Sequence, residues 1–152
     1  MTVRFECSTS TTMTVEELFD LSLSIDAHVG SMSESQERAV AGVTTGMIGL
    51  GETVTWRARH FGIPFSMTSR ISELTRPTSF VDEQIRGPFS RFRHQHSFVP
   101  ATGGSTMRDV VEFTAPFGVL GRIVERLVLA RYLERLIEKR NAFLAAQTPP
   151  SA

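Results

Sequence analysis

The chain has 152 residues, with 16 Lys+Arg balanced by 16 Asp+Glu and a pI near 6.9. That length suits one domain whose core needs no covalent staple, and the balanced charge argues against the long-range field that draws proteins to nucleic acid or anionic membranes. The single cysteine, Cys7, excludes an internal disulfide and any cysteine-based metal cluster, and no apolar run is long enough for a signal-peptide core or a transmembrane span. A cytoplasmic protein is expected, with residues 1–146 as a single domain and 147–152, two prolines among small residues, as a disordered tail.

In chain order, Thr2 to Ser10 is short and tolerant of β structure. Thr14-Val15-Glu16-Glu17 then fits a capping box, in which the Thr14 hydroxyl and the Glu17 carboxylate each satisfy the other residue's free amide, so a helix is expected from there. Leu18, Phe19, Leu21 and Ile25 supply its buried side, and Asp26 to Met32 suits a second short helix with a turn at Gly30. From Glu37 to Pro116 the pattern becomes β-like alternation, broken by Gly or Pro signals at Gly46 to Gly51, Gly62 to Pro64, Arg76-Pro77, Gly87-Pro88 and Gly103-Gly104. Connections that short join antiparallel neighbours, giving a meander of about six strands with the N-terminal segment as a seventh. From Pro116 to about Ala146 the period is helical, a length of roughly 45 Å. Its apolar side moves from Leu120, Ile123, Val124 and Leu127 to Leu129, Leu133, Leu136 and Leu144. Either the first half closes over a pocket while the second lies in the sheet, or the helix is buried all round. Arg131, Glu134, Arg135, Glu138 and Lys139 read as a solvated charged face.

Because side chains alternate across a strand, the turns decide which residues stand together. A turn over Gly62 to Pro64 sets His60 opposite Phe65, Trp56 opposite Ser69 and Val54 opposite Ile71; the next sets Phe80 opposite Ile71 and Asp82 opposite Ser69. The last two set His94 opposite Asp82, His96 opposite Phe80 and Asp109 opposite His94, so that one row reads Trp56, Ser69, Asp82, His94, Asp109. The same face carries Ala58, Phe65, Met67, Phe92, Phe98, Val111 and Phe113, whereas Arg57, Arg59, Arg70, Arg91, Arg93 and Arg108 fall on the other. The apolar face is inside. There Asp82, Gln84, His94, His96 and Asp109 must bond one another or line a cavity. A histidine between two carboxylates is expected to favour the imidazolium. Such a row either fixes strand register, orients a ligand, or moves protons with His94 as the transfer group and Asp82 or Asp109 behind it. A metal is not expected, since the spacing of His94, His96 and the carboxylates matches no familiar motif. His28 and His60 read as bystanders or rim groups, and Trp56 and the phenylalanines as core, some of which line any cavity.

A strand, two short helices, a six-stranded meander and a long last helix resemble the START-like helix-grip superfamily, also called SRPBCC. The segments Glu52 to Gly62, Phe80 to Phe89, His94 to Phe98, Thr106 to Phe113 and Pro116 to Gly121 are similar to its bacterial polyketide cyclase/dehydrase-like branch. The resemblance implies an α+β helix-grip fold, a curved antiparallel sheet of about seven strands wrapped around the C-terminal helix. It also implies a cavity between sheet and helix, used elsewhere in the superfamily for lipids, sterols, quinones, hormones and aromatic polyketides. The expected ligand contacts are Trp56, Met67, Ser69, Phe80, Asp82, Gln84, Phe92, His94, His96, Met107, Asp109 and Leu127. The expected function is binding of a small, largely apolar molecule as carrier or sensor, with no cofactor, no nucleic acid and no membrane-spanning segment; a homodimer is left open. The alternatives are a cyclase/dehydratase-type enzyme using His94 with Asp82 and Asp109, and an interaction module with a filled core that meets its partner through the arginine-rich face.

Overall fold

The structure is a computed structural model and describes residues 2–116 and 128–147. Its strands are β1 (Val3–Thr11), β2 (Arg38–Gly42), β3 (Thr53–His60), β4 (Ile63–Thr75), β5 (Ser79–Arg86), β6 (Arg91–Ala101) and β7 (Gly104–Thr114). Helices α1 (Val15–Leu23) and α2 (Ile25–Ser31) lie between β1 and β2, and α3 (Ala130–Ala145) follows β7. The strands form one antiparallel sheet in the order β1-β7-β6-β5-β4-β3-β2. A longer loop, 43–52, joins β2 to β3 and short turns make the meander from β3 to β7, while the two helices carry the chain from one edge of the sheet to the other. Helix α3 packs on β1, α1 and α2, completing an α+β helix-grip fold.

Local chemistry accounts for the helix boundaries. The Thr14 amide donates to Glu17 Oε2 at 2.8 Å and the Glu17 amide to Thr14 Oγ1 at 3.2 Å, the reciprocal bonds expected of the capping box. Ser24, in an extended conformation, ends α1 and starts α2 by accepting the Ala27 amide on its hydroxyl at 3.1 Å. Phe19 of α1 is fully buried, edge-on to Phe80 at 5.7 Å and Phe98 at 5.3 Å between ring centroids. A second apolar cluster joins Cys7, Phe92, Val111 and Phe113 of the sheet to Ile137 of α3.

Only one hairpin has the expected register. His94 pairs with Asp82 and His96 with Phe80, but the other pairings are displaced by two residues: Trp56 faces Met67, Val54 faces Ser69, Ile71 faces Asp82, and Asp109 faces His96. At β3–β4 the cause is a two-residue turn of Phe61 and Gly62, both with positive φ, where a longer loop was expected; the non-glycine Phe61 at φ 54° hides that turn from a sequence rule keyed to glycine. A β-bulge between Ile71 and Glu73 adds a register shift at β4–β5. A displacement of two leaves every side chain on its own face, so the inner-face set remains inside although its row is broken. The expected beginning of the last helix, including Leu120, Ile123, Val124 and Leu127, lies outside the described residues, as does most of the expected tail. Arg131, Arg135, Glu138 and Lys139 are exposed, as a solvated face requires.

Thr14→Ala should lower stability by about 1 kcal/mol, and Phe19→Ala by about 3–5 kcal/mol. Urea unfolding of both variants, read against the unaltered chain, checks the difference between a cap and a core contact.

Candidate functional site

Alternation along β6 places His94 and His96 on the inner face, with Asp82 of β5 beside one and Asp109 of β7 beside the other. The hydrogen bonds run diagonally. His94 Nε2 donates to Asp109 Oδ1 at 2.7 Å and His96 Nε2 donates to Asp82 Oδ2 at 2.8 Å. His96 Nδ1 lies 3.0 Å from Asp109 Oδ1 without the alignment for a hydrogen bond, and His94 Nδ1 is 3.9 Å from Asp82 Oδ2. The two imidazoles are 3.8 Å apart, and His96 stacks on Phe80 at 4.1 Å. From α3, Asn141 Nδ2 donates to Asp109 Oδ2 at 2.6 Å, and Arg140 Nη1 donates to Asn141 Oδ1 at 3.1 Å while standing 3.8 Å from Asp109 Oδ1. Arg140 Nη2 reaches the carbonyl of Ser22 on α1 at 3.4 Å. Strands and helices therefore meet in one buried polar cluster.

The two histidines are shifted in opposite directions. Burial and the neighbouring His96 hold His94 below its ordinary value, outweighing the pull of Asp109. For His96 burial acts in the same direction but is outweighed by the carboxylates of Asp109 and Asp82, so its value is raised. Burial would raise Asp109, yet its bonds to His94 and His96 hold it well below the usual carboxylate range, and Asp82 is lowered chiefly by His96 against the same opposition. The bias towards the imidazolium thus falls on His96 rather than on the expected His94. A neutral His94 that donates from Nε2 leaves Nδ1 unprotonated.

Above the cluster is a cavity of about 730 Å³ between the sheet and α3. Trp56, Met67, Ser69, Phe80, Asp82, Phe92, His94 and His96 line it. Gln84 does not line it: its side-chain amide donates to the Phe89 carbonyl at 2.8 Å and accepts the Phe89 amide at 3.2 Å, latching the β5–β6 turn. Met107 is fully buried in the core, 3.5 Å from Ser22 Oγ, and Asp109 stands behind the histidines rather than at the cavity wall. Leu127 lies outside the described residues. The second half of the last helix packs on β1 and also faces the cavity through Leu129, Leu133, Leu136, Ile137 and Arg140.

Sequence reasoning missed Arg140 and Asn141. A signal was present for Arg140, which falls on the stripe of Leu133, Leu136, Ile137 and Leu144, a position where a charge requires a partner. Nor are His28 and His60 bystanders. His28 stacks on Trp56 at 4.3 Å and bonds Glu37 at 2.6 Å, and His60 Nδ1 bonds the Tyr132 hydroxyl at 2.5 Å; all five side chains line the cavity. Phe61 and Val128 also line it and are solvent-exposed, which places an opening at that end.

Ring-carbon NMR titration should find His96 charged and His94 neutral at pH 6.5, the ordinary histidine value. A raised value means that the stabilisation by His96 is complete below pH 6.5 and is lost as pH rises through its folded value. His96→Gln should therefore destabilise more at about pH 6 than at about pH 8, as urea unfolding at the two pH values would read.

Residues 8–138 match the family model described as polyketide cyclase / dehydrase and lipid transport. No curated protein matches by sequence. Among solved structures, the fold is similar to the Zhui aromatase/cyclase from Streptomyces sp. R1128 (TM-score 0.75, 11% identity, covering 95% of this chain and 92% of that one). It is also similar to TTHA0849 from Thermus thermophilus (TM-score 0.72, 16% identity, 96% and 98% covered) and to a START superfamily protein from Mycobacterium smegmatis (TM-score 0.69, 13% identity, 94% and 96% covered). At such identities the likeness is one of fold. With the family model spanning most of its length, the chain belongs to the polyketide cyclase / dehydrase and lipid transport family, within the START-like helix-grip fold.

Proposed function

We propose that this protein binds a small, largely apolar molecule, of the lipid, quinone or aromatic polyketide kind, as its carrier or sensor. The observation that carries this reading is the cavity of about 730 Å³, a volume suited to a single drug-sized or larger ligand and walled mainly by apolar side chains. Its aliphatic and aromatic walls, Trp56, Phe65, Met67, Ile71, Leu133 and Ile137 among them, offer affinity without directional demand. One polar end, where Asp82, His94, His96 and Arg140 reach the wall, would set the ligand's orientation. Ser69 Oγ, buried on the same lining and without a hydrogen bond among the described residues, would serve a ligand carbonyl or hydroxyl. The space also counts against a module with a filled core.

A second reading, cyclase/dehydratase-type catalysis, is favoured by one observation. The His94 ring lines the cavity, its burial disfavours the charged form, and its Nε2 is engaged by Asp109, which would leave Nδ1 to act as the base. Asp109 then fixes the tautomer and Asn141 fixes Asp109. On this reading His94→Gln abolishes turnover of a bound polyketide-like substrate while leaving its binding within a few-fold; unchanged turnover would remove His94 from the chemistry.

Trp56 fluorescence should respond to fatty acids, quinones or polycyclic phenols, and Ala58→Phe, which places a ring inside the cavity, should weaken the responding class by about tenfold or more. Silence across the whole panel, with native mass spectra that stay free of added mass, would sink the binding reading.

A further inference from the structure

Asp82, His94 and His96 meet the demands of a metal site as well as those of a ligand-orienting group. Each offers one donor atom, and the three atoms lie within 4.8 Å of one another. An ion bound at about 2.0–2.1 Å by nitrogen and oxygen sets its donors roughly 3–3.5 Å apart. The observed separations from Asp82 Oδ2, 2.8 Å to His96 Nε2 and 3.9 Å to His94 Nδ1, straddle that range. Asp82 is the most exposed of the three, so a modest turn of its carboxylate brings all three donors around one point.

The groups behind the histidines are a second, independent observation. His94 turns its other nitrogen to Asp109 Oδ1 at 2.7 Å, and His96 turns its own to the same oxygen at 3.0 Å. A carboxylate on the remote nitrogen of a ligating imidazole is the arrangement that sets its tautomer and aim. Here Asp109 bonds the remote nitrogen of His94 and stands close to that of His96, and Asn141 holds the carboxylate from its other oxygen. Among the described residues, buried His96 Nδ1 has no aligned hydrogen bond, so these bonds do not by themselves satisfy that ring. The guanidinium of Arg140 is 3.8 Å from Asp109, and a bound ion would take the place of the proton by which His96 Nε2 now bonds Asp82. All three donors reach the cavity wall, so the remaining coordination positions would face the cavity.

We propose that Asp82, His94 and His96 form a binding site for a divalent first-row transition metal, of the zinc or ferrous class, at the polar end of the cavity. Two imidazoles and one carboxylate with open positions suit such ions and are poorly suited to Ca²⁺ or Mg²⁺, which prefer all-oxygen shells. Asp109 and Asn141 are positioning residues. The site does not depend on the apolar-ligand reading, and either can fail alone.

The test is titration of the metal-stripped, full-length protein with Co²⁺, followed by its visible absorption and by displacement with Zn²⁺. The expected result is one ion per chain, loss of the absorption band in Asp82→Asn and His96→Ala, and affinity lowered about 10–100-fold in Asp109→Asn. A His28→Gln/His60→Gln double variant should bind as the unaltered chain does. A folded unaltered protein that gives no band at saturating Co²⁺ overturns the proposal, and so does a band that survives Asp82→Asn and His96→Ala together. Should the Asp109 variant not fold, NMR of the unaltered protein decides: Zn²⁺ must shift the ring signals of His94 and His96, and movement confined to His28 and His60 overturns the site.

Discussion

The fully buried carboxylate of Asp109 is the contact on which the rest of the site depends. Taking an ionised carboxylate out of water costs several kcal/mol, and the structure offsets this with hydrogen bonds from His94 and Asn141 and with the nearby ring of His96. Those donors come from β6 and α3, so satisfying one side chain also sets how the last helix lies against the sheet. Arg140 extends the same connection to the Ser22 carbonyl at the end of α1. Such a cluster has few alternative arrangements, because any slip of helix or strand leaves a buried charge without a partner.

Beside this rigid polar end, the rest of the cavity is permissive. Apolar walls bind by area and shape, tolerate different ligands and discriminate weakly between near neighbours, whereas buried polar groups reject a molecule that leaves them unpaired. The division matches a family whose description spans cyclisation, dehydration and lipid transport. One scaffold can serve all of these if the walls set the size of the guest and the polar end sets what is done with it. In this chain the polar end shifts its two histidines in opposite directions, a contrast that arises from geometry: the carboxylates beside His96 favour its charged form, and burial with the neighbouring His96 disfavours a charge on His94.

The turn at Phe61 and Gly62 illustrates how errors propagate in a sheet. A two-residue loop in place of a longer one displaces every pair along β3 and β4 by two positions, yet no side chain changes face. For that reason the apolar lining was legible from alternation alone, while the neighbours of each lining residue were not. Asp82, His94, His96 and Asp109 were recognisable as inner-face polar groups that needed partners, but the diagonal bonds joining them depend on a register to which bulges and left-handed residues contribute. Arg140 and Asn141 escaped because their partners are distant in the chain: Asn141 meets Asp109 across 32 residues and Arg140 meets Ser22 across 118.

The amino-acid sequence by itself determined the element types, the capping box at Thr14, the antiparallel meander and the face on which each side chain falls. These follow from local propensity and from a period of two or 3.6 residues, which short stretches of chain impose unaided. Tertiary structure alone decided which charges meet, which histidine keeps its proton, and that a cavity stays open beneath α3. The reason is that burial and pairing energies belong to groups brought together from distant parts of the chain, and they exist only once the sheet and the last helix have closed around them.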